Sequence, residues 1–290
     1  MNNIFSMVTL EKSQNYTSYA LQSFFKNTKM DANDEFLLIN NDNKSVDEFS
    51  SYRNIEIKKN EYPLSFAKNV NQAIDKAIKV KKNLIFLNND VLFTKNWIEP
   101  LELDSEGISI PINNQLFPYE SDCEKLKLRP TMNIKDFNDN FLLLDEIVKK
   151  HQEKYKNVKK FQALLMPFFC FKIPYKILKE VGFFDTTFVN GAEDVDYRVR
   201  CTLKGHDVNF LINSYLLHFH GKSTWDGGET ASQMEKRNEL YTEAFRKKWG
   251  DDMTQIFIVR ENFFDILKNK KLNDFFEKKQ FSELIKKLLK

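Results

Sequence analysis

Strand and helix signals alternate through the first hundred residues of the chain. Ile4–Leu10 reads as a short strand, and Tyr16–Asn27 as a helix with Tyr16, Tyr19, Ala20 and Phe24 on one side. Glu35–Ile39 is an apolar strand that stops at the polar turn Asn40-Asn41-Asp42-Asn43, and Asn54–Lys58 is another short strand. Ser65–Val80 is a helix whose stripe is Phe66, Val70, Ala73, Ile74, Ala77 and Ile78. Asn83–Leu87 is a buried strand ending in Asn88-Asn89-Asp90. A β-α-β-α-β order with strands this short predicts an α/β domain with a largely parallel sheet, because parallel neighbours need a crossover helix.

The pattern loosens further on. A short strand is expected at Ile108–Ile112, a helix at Phe141–Lys150, and a strand-like segment over residues 161–173. Ile177–Val181 and Asp194–Leu203 read as helices closed by Gly182 and Gly205, with Val208–Ile212 and Tyr215–Phe219 as two short strands. From about residue 232 the pattern is helical, and Phe281, Leu284, Ile285, Leu288 and Leu289 form one apolar face. The expected organisation is an α/β domain over 1–228, with a variable region over 104–160, and a helical extension over 229–290.

Composition narrows the function. Only 8 residues are glycine and none precedes Gly107, so the first third holds no glycine-rich phosphate cradle. Neither a G-x-G-x-x-G nor a G-x-x-x-x-G-K-[ST] run occurs, so a nucleotide would have to be held by side chains. The 42% hydrophobic content and 27 Phe suffice for a core. The net charge of +3 argues against a nucleic-acid partner. The three cysteines, Cys123, Cys170 and Cys201, form no C-x-x-C and read as reduced thiols. The N-terminus lacks the basic and apolar regions of a signal peptide, and the longest apolar run, Ala163–Phe171, is too short to span a bilayer. The expectation is a cytoplasmic protein. The basic, Phe-rich stretch 260–290 has two readings: helices packed on the catalytic domain or on another copy, or a peripheral contact at the inner face of the membrane.

Four clusters carry chemistry. Asp42-Asn43 and Asn88-Asn89-Asp90 lie at strand ends, where open α/β sheets bind ligands. A carboxylate there takes a divalent metal or a nucleoside hydroxyl, although Asn and Asp also simply make turns. Glu193-Asp194-Val195-Asp196 opens a helix, where acids are favoured by the free N–H groups but also serve as proton acceptors. His218 and His220 alternate onto one face if the strand continues, and imidazole plus carboxylate suits Mn²⁺ where carboxylates alone suit Mg²⁺.

In their order and context these segments resemble the family 2 inverting glycosyltransferases of the GT-A fold, of the bacterial rhamnosyl- and galactosyl-type transferases, from about residue 4 to residue 224. Leu38 to Ser45 (LINNDNKS) is similar to the family's "V-D-N-G-S" strand end, with Lys44 in the Gly place. Asn60 to Asn71 is similar to its "N-x-G-F-A-x-x-x-N" helix start, with Ser65 in the Gly place. Leu87-Asn88-Asn89-Asp90 looks like the "L-N-N-D" form of its metal-binding D-x-D motif. Gly182-Phe183-Phe184-Asp185 with Phe188 resembles "G-G-F-D-x-x-F", and Glu193 to Asp196 is the "E-D-V-D" that follows it. His218 with Ser223 is similar to "H-x-x-G-x-S".

The resemblance implies a GT-A α/β fold and transfer of a sugar, with inversion, from a nucleoside-diphosphate sugar of UDP or dTDP type to a glycan or lipid-linked hydroxyl. It implies Mn²⁺ or Mg²⁺ held by Asp90 and His218, with His220 alongside, and Asp194 as catalytic base in preference to Glu193. The donor would be contacted by Asp42, Asn43, Asn60, Asn71, Asn88, Asn89, Asp185 and Lys222. The pathway implied is surface polysaccharide or glycan synthesis. One departure stands out: Pro167-Phe168-Phe169 occupies the place where the family usually has small residues, which predicts a reshaped sugar pocket. The competing class is a non-catalytic sugar-nucleotide or glycan-binding protein on the same fold. A sugar-phosphate nucleotidyltransferase is disfavoured by the lack of an early glycine.

Overall fold

The computed structural model describes residues 2–44, 46–52, 54–114, 133–222 and 230–290. Cys123, Ser223 and the expected boundary at 228/229 lie outside the described residues.

Among the described residues, 9 strands form one central sheet, β3 (Ile55–Lys59), β2 (Glu35–Asn40), β1 (Asn3–Thr9), β4 (Asn83–Leu87), β8 (Cys170–Ile173), β6 (Ile108–Asn113), β9 (Val208–His218) and β5 (Val91–Phe93) in spatial order, with β7 (Lys160–Gln162) also paired to β9. Its first half follows the alternation in the sequence. Strands β1 (Asn3–Thr9), β2 (Glu35–Asn40), β3 (Ile55–Lys59) and β4 (Asn83–Leu87) pair in parallel. Helix α1 (Gln14–Asn27) makes the crossover to β2, and α2 (Phe66–Val80) the crossover to β4. The stripe of α2 buries Val70, Ala73, Ile74 and Ala77 completely, each larger aliphatic contributing roughly 1.5–3 kcal/mol by leaving water.

Beyond β4 the sheet turns mixed. The chain forms β5 (Val91–Phe93), α3 (Glu99–Leu103) and β6 (Ile108–Asn113), then α4 (Ile134–Phe137) and α5 (Phe141–Lys154). β7 (Lys160–Gln162), β8 (Cys170–Ile173), α6 (Tyr175–Val181), α7 (Glu193–Leu203) and β9 (Val208–His218) follow. β8 is antiparallel to both β4 and β6, so β6 runs with β4, and β9 is parallel to β6. Strands β1, β2, β3, β4, β6 and β9 therefore share one direction, and their carboxyl ends lie along one edge.

Two expectations change. The strand-like run 161–173 is two strands, β7 and β8, separated by a turn through Pro167. The two strands read at 208–212 and 215–219 are one, β9. Asn213-Ser214 looks like a turn in sequence. It is instead the site of a register shift against β6, where Pro111 pairs with Leu211 and Ile112 with Tyr215. The strand survives because β7 pairs with its first half and β5 with its second.

From residue 231 the chain is helical: α8 (Ala231–Trp249), α9 (Asp251–Thr254), α10 (Phe263–Ile266), α11 (Lys270–Glu277) and α12 (Phe281–Leu288). These helices share a second core with α7, in which Ala192, Val195 and Val199 meet Phe245, Met253, Ile256, Phe257 and Ile285. The apolar face of α12 thus packs on protein, with Leu284 and Ile285 fully buried, while Phe264 stays exposed. Among the described residues no helix is long and apolar enough to cross a membrane. Cys170 and Cys201 are free and buried, and loss of hydration pushes the Cys201 thiol up to about 12 and that of Cys170 well above its ordinary value.

Candidate active site

A cavity of about 640 Å³ opens along the shared edge of strand ends. Asn88 and Asn89 reach it from the end of β4, Asn113 from β6, and His218, His220 and Gly221 from β9 and beyond. Asn69 of α2, the loop Pro167-Phe168-Phe169, and Asn190, Gly191, Glu193 and Asp194 at the start of α7 complete it. These positions run from Asn69 to Gly221 in the sequence. The common strand direction brings them together.

Ionisable groups gather at two corners, one behind the His218 side of the cavity wall and one at the helix start that lines it. The first is Asp90 with His218. Antiparallel pairing sets Val91 of β5 opposite His218, and the Phe219 N–H donates to the Asp90 carbonyl at 2.9 Å, so the two side chains are neighbours by register. Asp90 Oδ1 lies 3.2 Å from His218 Nε2. The pair is close but not aligned as a hydrogen bond, and both atoms are buried without a hydrogen-bond partner. Asp90 Oδ2 accepts from the Lys222 backbone N–H at 3.0 Å. Burial pushes the Asp90 carboxyl up, but His218 and the Lys222 N–H outweigh it, and its pKa lies below the ordinary value. His218 is held from three sides. The Asn114 side chain accepts from its N–H at 2.8 Å and donates to its carbonyl at 3.2 Å, and Asn113 Nδ2 stands 3.4 Å from Nδ1. The Phe169 ring stacks on the imidazole at 5.3 Å.

The second corner is Glu193 with Asp194. The turn before α7 is left-handed at Asn190 and Ala192, with φ 51° and 67°. Such a backbone costs a non-glycine residue about 1–2 kcal/mol. The turn ends in the exposed N–H groups of the helix start. The Gly191 N–H donates to Glu193 Oε2, and the Val195 N–H donates to Asp194 Oδ1 at 2.8 Å. Burial pushes Asp194 up to about 6. Burial, with the neighbouring Asp194 charge, pushes Glu193 up to about 7. Two coupled carboxyls raised toward neutrality at a cavity wall can hold and release a proton near pH 7.

Other expected donor contacts lie elsewhere. Asp185 is 26% exposed and occupied: Oδ1 accepts from the Thr187 N–H and hydroxyl, and Oδ2 pairs with Lys248 Nζ at 2.6 Å. Asn71 is spent on both backbone groups of Phe184, donating at 2.9 Å and accepting at 2.7 Å. Asn60 joins an amide network with Asn41, Asn69 and Gln72 behind the cavity wall. Asp42 caps the strand-end turn by accepting from the Glu11 and Lys44 N–H groups, and Asn43 is an exposed left-handed turn residue. Neither lines the cavity. Lys222 approaches Asp90 through its backbone.

His220 does not continue the face of His218. It leaves the strand at φ 62° and its ring stands edge-on to His218 at 5.6 Å. Among the described residues no three His, Cys, Asp or Glu side chains converge as a metal-ligand group. Asp90 Oδ1 and His218 Nε2 still fit a divalent cation as two donors. Both are orphaned, buried and adjacent, and a mixed oxygen–nitrogen pair suits Mn²⁺. Cations of this kind commonly complete their shell with substrate phosphates and water.

Sequence reading missed Asn113, Asn114 and Asn190. The first two had a usable signal. A strand ending in Asn-Asn occurs three times, at Asn40-Asn41, Asn88-Asn89 and Asn113-Asn114, and the third repeats the pattern of the first two. Asn190, whose Oδ1 accepts from the Phe66 N–H at 3.1 Å, had none. The aromatics Phe168 and Phe169 line the cavity without filling it: Phe168 lies back on Phe66, with ring centroids 4.4 Å apart.

No family model and no curated protein sequence matches the chain. Solved structures do. GalNAc-T7, solved with UDP, GalNAc and Mn²⁺, matches 99% of the chain with a TM-score of 0.61 at 14% identity. S. aureus TarS matches 93% with a TM-score of 0.55 at 11% identity. The Pyrobaculum calidifontis mannosyltransferase PcManGT, solved with GDP-Man and Mn²⁺, matches 86% with a TM-score of 0.53 at 10% identity. The chain spans 54%, 44% and 64% of those proteins respectively. At such identities the likeness is one of architecture: the chain has the α/β fold of the GT-A glycosyltransferases.

Proposed function

We propose that the protein is an inverting glycosyltransferase that moves a sugar from a nucleoside-diphosphate sugar to a hydroxyl acceptor. The observation that carries this reading is the pairing of two differently tuned corners at one cavity. Asp90 is kept ionised beneath the His218 imidazole that lines the cavity, and Glu193 and Asp194, which line the same cavity, are raised toward neutrality. Solved proteins of the same fold hold UDP, UDP-GlcNAc or GDP-Man, which supports a nucleotide-sugar donor.

In this reading Asp194 accepts the proton of the acceptor hydroxyl as its oxygen bonds to the anomeric carbon. The bond from that carbon to the diphosphate oxygen breaks on the opposite face, which inverts the configuration. Glu193, raised further than Asp194, holds its proton more tightly, so Asp194 is the site that stands ready to take the acceptor's proton. Asn88, with no glycine loop available, offers its side-chain amide to the donor, while Asn89 is fully buried and spends its amide N–H groups on the Ser13 and Thr17 hydroxyls at 2.9 and 2.8 Å. Asp90 and His218 would hold Mn²⁺ or Mg²⁺, which supplies positive charge against the departing diphosphate. The reading places the acceptor in glycan or surface polysaccharide synthesis.

A panel of nucleotide sugars with and without Mn²⁺ tests this, scored by thermal shift and nucleotide release. Stabilisation and release with one donor are expected. Stabilisation without release, with any acceptor offered, would favour a non-catalytic sugar-nucleotide binder, and no stabilisation by any donor would overturn the reading.

A further inference from the structure

We infer that helix α8 is a working part of the active site: Arg237 and Tyr241 hold the Asn190–Ala192 turn in the shape that aims Glu193 and Asp194 into the cavity. This rests on the reading of that pair as the proton-handling site, and it assigns positioning residues outside the α/β part of the fold.

The turn cannot keep its shape unaided. Asn190 and Ala192 both sit in the left-handed region, which asparagine tolerates but alanine adopts only where its surroundings impose it. The surroundings come from α8. Arg237 Nη1 donates to the Asn190 carbonyl at 2.7 Å. The Tyr241 ring covers Gly191 so closely that a Cβ there would stand 2.3 Å from Cε1, so any other residue at this position would have to displace the ring. The Arg237 guanidinium lies 6.0 Å from the centre of the Tyr241 ring, tying the two together.

The same helix grips α7 a second time. Asp196, fully buried in the first turn of α7, pairs with Lys248 Nζ at 2.7 Å and accepts from Trp249 Nε1 at 3.0 Å. Arg200 holds its other oxygen at 2.8 Å. A helix fixed both before its first residue and within its first turn has little freedom to swing its carboxylates.

The charges agree with this placement. Glu193 is faced by Asp194 on its own helix and by Arg237, whose charge draws it down against burial. Asp194 is drawn down by Arg260, which follows α9. The Tyr241 phenol is pushed up by its burial and in part by both carboxylates, so it too faces the pair.

The test uses the full chain with Arg237→Gln, Arg237→Lys, Tyr241→Ala and Tyr241→Phe. Arg237→Gln and Tyr241→Ala are expected to lower kcat by roughly 10- to 100-fold, the scale of a small misplacement of reacting groups, with donor KM nearly unchanged. Arg237 draws Glu193 down, so loss of its charge should also raise Glu193 and move the basic limb of the pH–rate profile, where Glu193 gives up its proton, to higher pH. Arg237→Lys should return the limb to its wild-type place, and Tyr241→Phe should keep wild-type kcat. An unmoved limb in Arg237→Gln, or wild-type kcat in Tyr241→Ala, overturns the inference. If the wild-type protein turns over no donor, the functional reading fails, and amide hydrogen exchange over residues 190–194 decides the inference by itself. Faster exchange in Arg237→Gln and Tyr241→Ala than in Tyr241→Phe supports it. Equal exchange overturns it.

Discussion

Asp90 and Asp194 are aspartates near one cavity, and the fold treats them in opposite ways. Asp90 is fully buried, yet His218 and a backbone N–H favour its charge enough to outweigh the loss of hydration. Asp194 has only the N–H groups of its own helix start and a more distant arginine, so loss of hydration wins and its carboxyl rises to about 6. Residue type does not set the chemistry of a carboxyl. Its nearest partners do, and sheet register supplies them at one corner while a helix terminus supplies them at the other.

Substitutions can break that contrast. Asp194→Asn removes the proton acceptor and should cost about 10²–10⁴-fold in kcat with donor binding kept, measured by nucleotide release and donor titration. Retention of most activity would leave the base unassigned. Asp90→Asn should abolish the extra thermal stabilisation that Mn²⁺ gives to the nucleoside-diphosphate complex, with a loss of about 10²-fold in rate. A metal-dependent shift equal to wild type would remove Asp90 from the cation site.

The second corner also predicts a pH effect on stability. Glu193 binds its proton more tightly folded, at about 7, than unfolded, near 4.5. Between those values the native state holds more protons, so stability is highest below the unfolded pKa and falls as pH rises through the folded one. Glu193→Gln removes that loss. It should stabilise the protein at pH 8 by up to roughly 3 kcal/mol, a gain that fades by pH 4, seen as a pH-dependent rise in Tm. A constant offset across pH would contradict the raised carboxyl. The smallest effect expected is that of Phe169→Leu. It loses the ring that stacks on His218 but keeps most of the volume, costing about 1–2 kcal/mol in a denaturant titration.

Much of the fold was legible. The alternation up to Leu87 gave strands and helices within two residues of the observed ones, because each element carries its own period and one buried face. Beyond it, β5 and β7 are three residues long and owe their existence to pairing with β9, which no local pattern encodes. The site divides in the same way. Asn88, Asn89, Asp90, Glu193, Asp194 and His218 stood out as polar groups at element ends. Asp185 and Asn71 stood out equally, yet are used up by Lys248, Thr187 and Phe184. The difference lies in partners distant in sequence.

The sequence by itself determined an α/β sheet with polar strand ends on one edge and an acidic helix start, since periodicity and end residues are local properties. The tertiary structure alone decided which of those groups meet. Strand direction gathered them, β5–β9 register set Asp90 against His218, and α8 closed over the Asn190–Ala192 turn. Contacts of that kind depend on how separate elements pack, and packing is written in no single stretch of chain.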